Sequence, residues 1–303
     1  MKVPYLKKRM TKEFVSYLSE FSEAISAATK DASQNTDSMR LFSALFPLFT
    51  LIRELTENRY VRDPSRDLVL SRIRASGNKQ IFLKVLNTRP ASDEAHRHLQ
   101  EALREQAFTA YLGELWSDSL LCLNCYYGRN YRGAQIALRC MLEDLYRHLY
   151  YKDHPEEHWA LNEGPNARSE KGPRVSELRI YLGSVSYLSV FKGITTAFAP
   201  KTAPSDADLF TVNEHLYAVT SGYVHCARKD TMNSFKSNGD AIYDKAKADE
   251  MVSIVTQFVR MAVPLLIAAH LDHFLAFNEY EKSMILDTFS VSERGALRAA
   301  LNC

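Results

Sequence analysis

Three residues spaced four apart, Arg139, Glu143 and Arg147, form the first group with chemical potential. On a helix that spacing places all three on one face. The face flanks an apolar stripe of Leu138, Met141, Leu142, Leu145 and Leu149, so the group is expected at the edge of a core. There a carboxylate set between two guanidiniums can hold a partner helix or a phosphate. A second group, Glu214, Tyr217, Ser221 and His225, also shares one helical face, nearly opposite the stripe Leu209, Val212, Leu216, Val219 and Tyr223. A solvent face would carry Lys, Glu and Arg. This one carries Tyr, Ala, Ser and His, which points to a second, polar interior. His225 is the leading general acid–base candidate, because an imidazole titrates near neutrality. The plain alternatives are a capping or packing histidine and a salt ladder along one helix.

Other groups are weaker. Cys122-x-x-Cys125 has no second pair at zinc-ribbon spacing and sits in the apolar run SLLCLNCYY, so core thiols are expected. His270 and His273 lie one turn apart on an apolar helix, and two ligands alone do not make a metal site. No HExxH, Walker loop, GxGxxG or G-x-S-x-G occurs. Kinase, NTPase, hydrolase and dinucleotide-binding readings therefore lose support, and no metal or cofactor is expected. Seven tyrosines near these helices, among them Tyr146, Tyr150 and Tyr217, could stack on a base if a nucleotide bound between them.

Helices must position these residues. Gly (11) and Pro (10) are sparse among 303 residues, and no strand alternation is visible. The pattern predicts an all-α, multi-helix bundle. Amphipathic helices are expected over Thr11–Lys30 and Ser38–Arg59, the second with Phe42, Leu45, Phe46, Phe49, Ile52 and Leu55 inward. Ser92 is a plausible N-cap for a long helix to Tyr127. Gly128–Asn130 is too short for anything but a tight reversal, so Tyr131–Lys152 must return antiparallel. Residues 153–175 read as a loop, 204–226 and 240–277 as helices, and Ser290-Val-Ser-Glu293 as a capping box. The expected divisions are an N-terminal helical extension (1–90), a helical core (91–277) and short C-terminal helices (278–303).

A net charge of +2 gives no footprint for bulk nucleic-acid binding, though a local basic pocket remains open. The odd count of five cysteines and a basic, amphipathic start without a leader-like apolar run suggest reduced thiols in a cytosol. The most apolar stretch, Met251–Phe277, is interrupted by Arg260, Asp272 and two histidines, so a buried helix is expected there and no membrane partner.

The segment from Gly128 to Glu143 (GRNYRGAQIALRCMLE) resembles a helix of several bacterial families that place a Gly-rich turn before A-x-x-x-x-R-x-x-x-E. Those families carry a Tyr-x-x-x-Ser-x-x-x-His helix further along, matched here by Tyr217, Ser221 and His225. They are similar to the HEPN superfamily, and the resemblance covers roughly residues 92–277. It implies an all-α fold and a role in a bacterial anti-phage defence or toxin system, with catalytic members acting as metal-independent RNases, commonly as dimers. The implied partners are a second copy or a defence-system protein, with RNA or a nucleotide as ligand. His225 would then move a proton, Arg139 or Arg147 would hold the phosphate, and Glu143 would orient them. Tyr217, Ser221, Glu214 and His154 are the expected binding residues, His154 because Arg147…His154 fits the family's Arg-x(4–6)-His spacing. The alternative is a non-catalytic helical scaffold or sensor that binds a partner protein or nucleotide.

Overall fold

The computed structural model describes residues 36–57, 94–162, 171–191, 208–224, 243–287 and 289–301, together with Ser19, Glu23 and Ser26. Among the described residues the chain is helical and has no strand. The helices are α1 (Thr36–Glu57), α2 (Glu94–Tyr127), α3 (Tyr131–Asp153), α4 (Pro155–Asn162), α5 (Val175–Ser184), a 3₁₀ helix (Ser186–Phe191), α6 (Leu209–Val224), α7 (Lys245–Ala269), α8 (Leu271–Leu275), α9 (Glu279–Leu286) and α10 (Val291–Leu301). The all-α bundle read from the periodicity is what the chain forms.

The α2–α3 hairpin is its most extensive helix pair. The reversal is made by Asn130 N–H donating to the Cys125 carbonyl at 2.8 Å and Gly128 N–H to that of Asn124 at 2.9 Å. Arg129 takes the left-handed conformation (φ 59°) that ends the first helix. Asn130 then opens α3, its side chain accepting from the N–H of Gly133 at 2.9 Å. A Cβ on Gly133 would stand 2.6 Å from the Asn130 amide nitrogen and 3.0 Å from Cys125 Sγ, so a side chain there would have to displace the Asn130 cap.

One hydrophobic cluster runs from Leu41 of α1 to Leu301 of α10, with α7 through its middle. α7 is long and apolar enough to cross a membrane by length and composition, but 78% of its most apolar window is buried inside the protein. Cys122 lies fully within the cluster, and burial pushes its thiol far above the ordinary range.

Three expectations need correction. In α1, Phe42 and Phe46 are each 40% exposed, whereas Leu41, Leu48 and Leu51 are fully buried. The helix is gripped by α7, α9 and α2, so its buried arc is wider than one stripe and turned away from those two rings. Residues 153–175 are not all loop, because Pro155–Asn162 forms α4, with His158 and Trp159 buried. Pro155 stands at its first position, where a missing N–H costs nothing. The last long helix stops at Ala269, and His270 caps it before the separate short α8. The Ser290–Glu293 capping box is present, with Ser290 N–H donating to Glu293 Oε2 at 2.7 Å and Glu293 N–H to Ser290 Oγ at 3.3 Å. The Thr11–Lys30 helix is described only at Ser19, Glu23 and Ser26, which are helical and exposed. Its apolar residues, Ser92 and the 58–93 segment lie outside the described residues.

Candidate functional site at the α3–α6 interface

α3 presents Arg139, Glu143 and Arg147 on one face, as their spacing requires. Glu143 bridges the two cations: Oε1 lies 2.7 Å from an Arg139 terminal nitrogen and Oε2 lies 2.6 Å from one of Arg147. Arg147 also reaches Asp144 at 3.6 Å. Arg139 is 8% exposed, while Arg147 keeps about a third of its side chain in solvent. A buried guanidinium needs charge and hydrogen-bond partners on several sides, and α6 supplies two of them. Ser221 Oγ stands 3.4 Å from Arg139 Nε, and the Tyr217 ring lies under the Arg139 guanidinium at 4.1 Å from its centroid.

A residue that the sequence did not single out completes the group. Arg179 of α5 lies 4.1 Å from the same Tyr217 centroid and makes a bidentate ion pair with Glu214, its Nε donating to Oε1 at 3.1 Å. Beneath them, buried Tyr146 donates to Asn213 Oδ1 at 2.5 Å, a second tie between α3 and α6. Burial pushes the Tyr146 hydroxyl far up from its ordinary value, so it remains a donor. The buried face of α6 is the apolar-stripe side, where Asn213 and Thr220 lie beside Leu209, Val212 and Leu216. On the expected polar face Tyr217 and Ser221 are half-buried while Glu214 and Ala218 are exposed, so that face turns inward only in part. Tyr223, expected in the apolar stripe, is only half-buried and donates to Glu250 at 2.9 Å.

Five of the sequence-chosen residues therefore converge: Arg139, Glu143, Arg147, Tyr217 and Ser221. Glu214 joins them through Arg179. His225 lies outside the described residues. His154 is not brought to the group. It caps the far end of α3, about 22 Å along the axis from Arg139 at ~1.5 Å per residue. Its ring stacks on Tyr150 at 4.3 Å and meets the edge of Tyr181 at 5.2 Å. Beside it, Asp153 accepts from Tyr181 at 2.5 Å, Tyr187 at 2.8 Å and Lys152 at 2.7 Å. Burial alone would raise the Asp153 carboxyl, but those donors outweigh it and hold the carboxyl below its ordinary range.

Two further polar pairs were not legible as pairs. His148 of α3 and His270 at the end of α7 face each other with Nε2 atoms 2.8 Å apart, both buried. One ring must donate and the other accept, so the contact requires at least one neutral imidazole nitrogen. On the other flank of α3, Asp144 shares a hydrogen bond with Asp118 of α2. Burial first, then the Asp118 charge, pushes the Asp144 carboxyl up to about 8, with Arg147 acting against both. Burial also raises Asp118, though the hydrogen bond from Asp144 opposes it. Asp144 is accordingly the protonated donor of the pair.

Chemically, the α3–α6 interface offers two arginines with partial solvent access, Arg147 and Arg179, around a buried arginine fixed by a carboxylate, a hydroxyl and an aromatic ring. This can either fasten two helices or receive an anion at its rim. No group of metal-ligand type occurs among the described residues. No protein-family model, no curated protein and no solved structure matches the chain, so the site stands on its own geometry.

Proposed function

We propose that this chain is a HEPN-like effector of a bacterial anti-phage defence or toxin module, acting as a metal-independent ribonuclease at the α3–α6 interface. The supporting observation is the contact of Arg139 Nε with Ser221 Oγ at 3.4 Å. It joins the helix bearing R-x-x-x-E to the helix bearing Y-x-x-x-S through the motif residues themselves. In this reading Arg147 meets the phosphate from solvent and Arg139 supplies buried positive charge behind it. Glu143 orients both, and His225, four residues beyond Ser221 in sequence, moves the proton. The ligand is RNA, and the working form is a homodimer or a complex with a protein of the same module, in the cytoplasm.

A second reading has its own observation. Glu143 already pairs with both arginines, as Glu214 pairs with Arg179, which is how a permanent polar clamp between helices of a scaffold or sensor would be built. One experiment separates the two: induced expression in a bacterial host of wild type, His225→Ala and Glu143→Gln, with growth, RNA integrity and melting temperature followed together. The ribonuclease reading expects growth arrest with fragmented RNA in wild type and loss of both in His225→Ala at unchanged melting temperature. Intact RNA in wild type, co-expressed with its module partner, together with a Glu143→Gln melting point lower by several degrees, would overturn it in favour of the clamp.

A further inference from the structure

Away from this interface, α8, α9 and α10 border a half-open pocket of about 310 Å³. It shares no residue with the α3–α6 site. α9 turns Glu279, Lys282, Ser283 and Leu286 toward it, a spacing of three, four and seven that defines one helical face. α10 contributes Arg294 and Arg298, again one turn apart. The floor is aliphatic and aromatic: Phe274 and Leu286 are buried, and Leu275, with 46% of its surface exposed, stands open at the rim.

The charges in this cavity do not balance. Three cations line it against one lining carboxylate, Glu279, which Lys282 holds at 2.9 Å. Arg294 has a 3.7 Å approach from Asp287 outside the lining, and Arg298 acts on Glu279 only at longer range, so Glu279 and Asp287 together leave one cation in excess. α10, which carries both arginines, is held in place by the Glu293 ion pair with Arg260 of α7 and by the Ser290 capping box. Two guanidiniums one helical turn apart on the same wall repel one another less when an anion lies between them. A ligand that met only the cations would leave the exposed Leu275 surface in water, and a purely apolar one would bury the arginines unpaired.

We propose that this cavity binds a small amphipathic anion, a phosphate or carboxylate carried on an alkyl or acyl group. The head lies between Arg294 and Arg298, on the wall that also carries the Ser283 hydroxyl, which here donates to Asp287 at 3.5 Å. The tail covers Leu275, Phe274 and Leu286. The volume falls at the small end of ligand cavities, which run from about 300 Å³ upward, so it suits a single short chain. The same chemistry is offered by a free acyl or alkyl phosphate and by the headgroup edge of an anionic bilayer.

The test uses the full chain and titration calorimetry with octyl phosphate below its micelle concentration, with octanol and inorganic phosphate as half-ligands. One site per chain is expected, with each half-ligand at least about tenfold weaker. Arg298 and Leu275 are exposed, so Arg298→Gln and Leu275→Ser should leave the melting temperature in place while each weakens octyl phosphate about tenfold, and Arg298→Lys should recover part of the loss. Flotation with phosphatidylglycerol vesicles, against phosphatidylcholine, identifies the source: flotation abolished by octyl phosphate assigns the anion to a membrane, and calorimetric binding without flotation assigns it to a free metabolite. No saturable binding of octyl phosphate, equal binding of inorganic phosphate, or unchanged binding in folded Arg298→Gln would each overturn the proposal.

Discussion

Asp144→Asn is expected to stabilise the protein at alkaline pH and to change little at acid pH. Asp144 is 7% exposed, and its carboxyl is pushed up to about 8 by burial and by Asp118. In an unfolded chain the same group titrates near ~3.9. Between those two values the native state holds a proton that the unfolded state has released. Unfolding free energy therefore falls as pH rises: the contribution is complete below the unfolded value and is lost as pH climbs through the folded one. One proton sets a ceiling of ~1.4 kcal/mol per pH unit, or ~4 kcal/mol from pH 5 to 8. Asp118, only half-buried, lets water reach the pair, which reduces the figure to roughly 2 kcal/mol. For a chain of this size that corresponds to a melting temperature lower by about 4 °C or more at pH 8 than at pH 5. Asparagine keeps a donor toward Asp118 and cannot ionise, so the variant should lack this part of the drop. The assay is thermal unfolding of both proteins at the two pH values. Ionisable groups that do not touch Asp144 or Asp118 are common to both proteins and cancel in the difference. An equal drop in wild type and Asp144→Asn would show that Asp144 does not hold the proton and would refute the reasoning.

Gly133→Ala should destabilise by roughly 1 kcal/mol despite alanine's better helix propensity, because the new Cβ displaces the Asn130 cap and crowds Cys125. In Asn130→Ala the same substitution should cost less, since the cap is already gone, and a variant more stable than wild type in urea unfolding would contradict the close approach. Tyr146→Phe leaves buried Asn213 Oδ1 without its donor and should lower stability by about 1–3 kcal/mol. Tyr146→Phe combined with Asn213→Leu should regain part of that loss. A neutral single variant would mean that the tie between α3 and α6 contributes nothing.

Helix type and order were legible because they depend on local information. Glu94–Tyr127 and Tyr131–Asp153 follow from apolar periodicity and a three-residue reversal, and the Ser290–Glu293 box follows from two side chains three residues apart. The in-helix part of the site was legible for the same reason: residues four apart meet on any helix, so the Arg139–Glu143–Arg147 ladder needed no tertiary knowledge. Partners on other helices are a different kind of information. They depend on how each helix is rotated about its own axis, and a change of one residue in that rotation moves the contact face by about 100°. Phe42 and Phe46 show the consequence. They sit at core-like spacing in α1, yet the rotation imposed by α7, α9 and α2 leaves them partly in solvent and buries Leu41, Leu48 and Leu51.

The same argument explains Arg179, Asp118 and the His148–His270 pair. Each is unremarkable in its own helix and acquires meaning only from a side chain on another element, 35 residues from Arg179 in Glu214 and 122 residues from His148 in His270. No spacing rule reaches across such distances. Burial, however, restricts which polar residues can tolerate the interior. Arg139, Asp144, His148 and Asn213 are all buried on α3 or α6, and each is matched by a complementary group. α3 thus carries polar residues around most of its circumference, with Asp144 toward α2, Arg139 and Tyr146 toward α6, and His148 toward α7. A helix that meets three others and still keeps ionisable groups at those contacts is held in register by them, because a slip of one residue would leave several buried groups unmatched at ~1–3 kcal/mol each. That fixed register brings Arg139 to Ser221, and any chemistry at the α3–α6 interface depends on it.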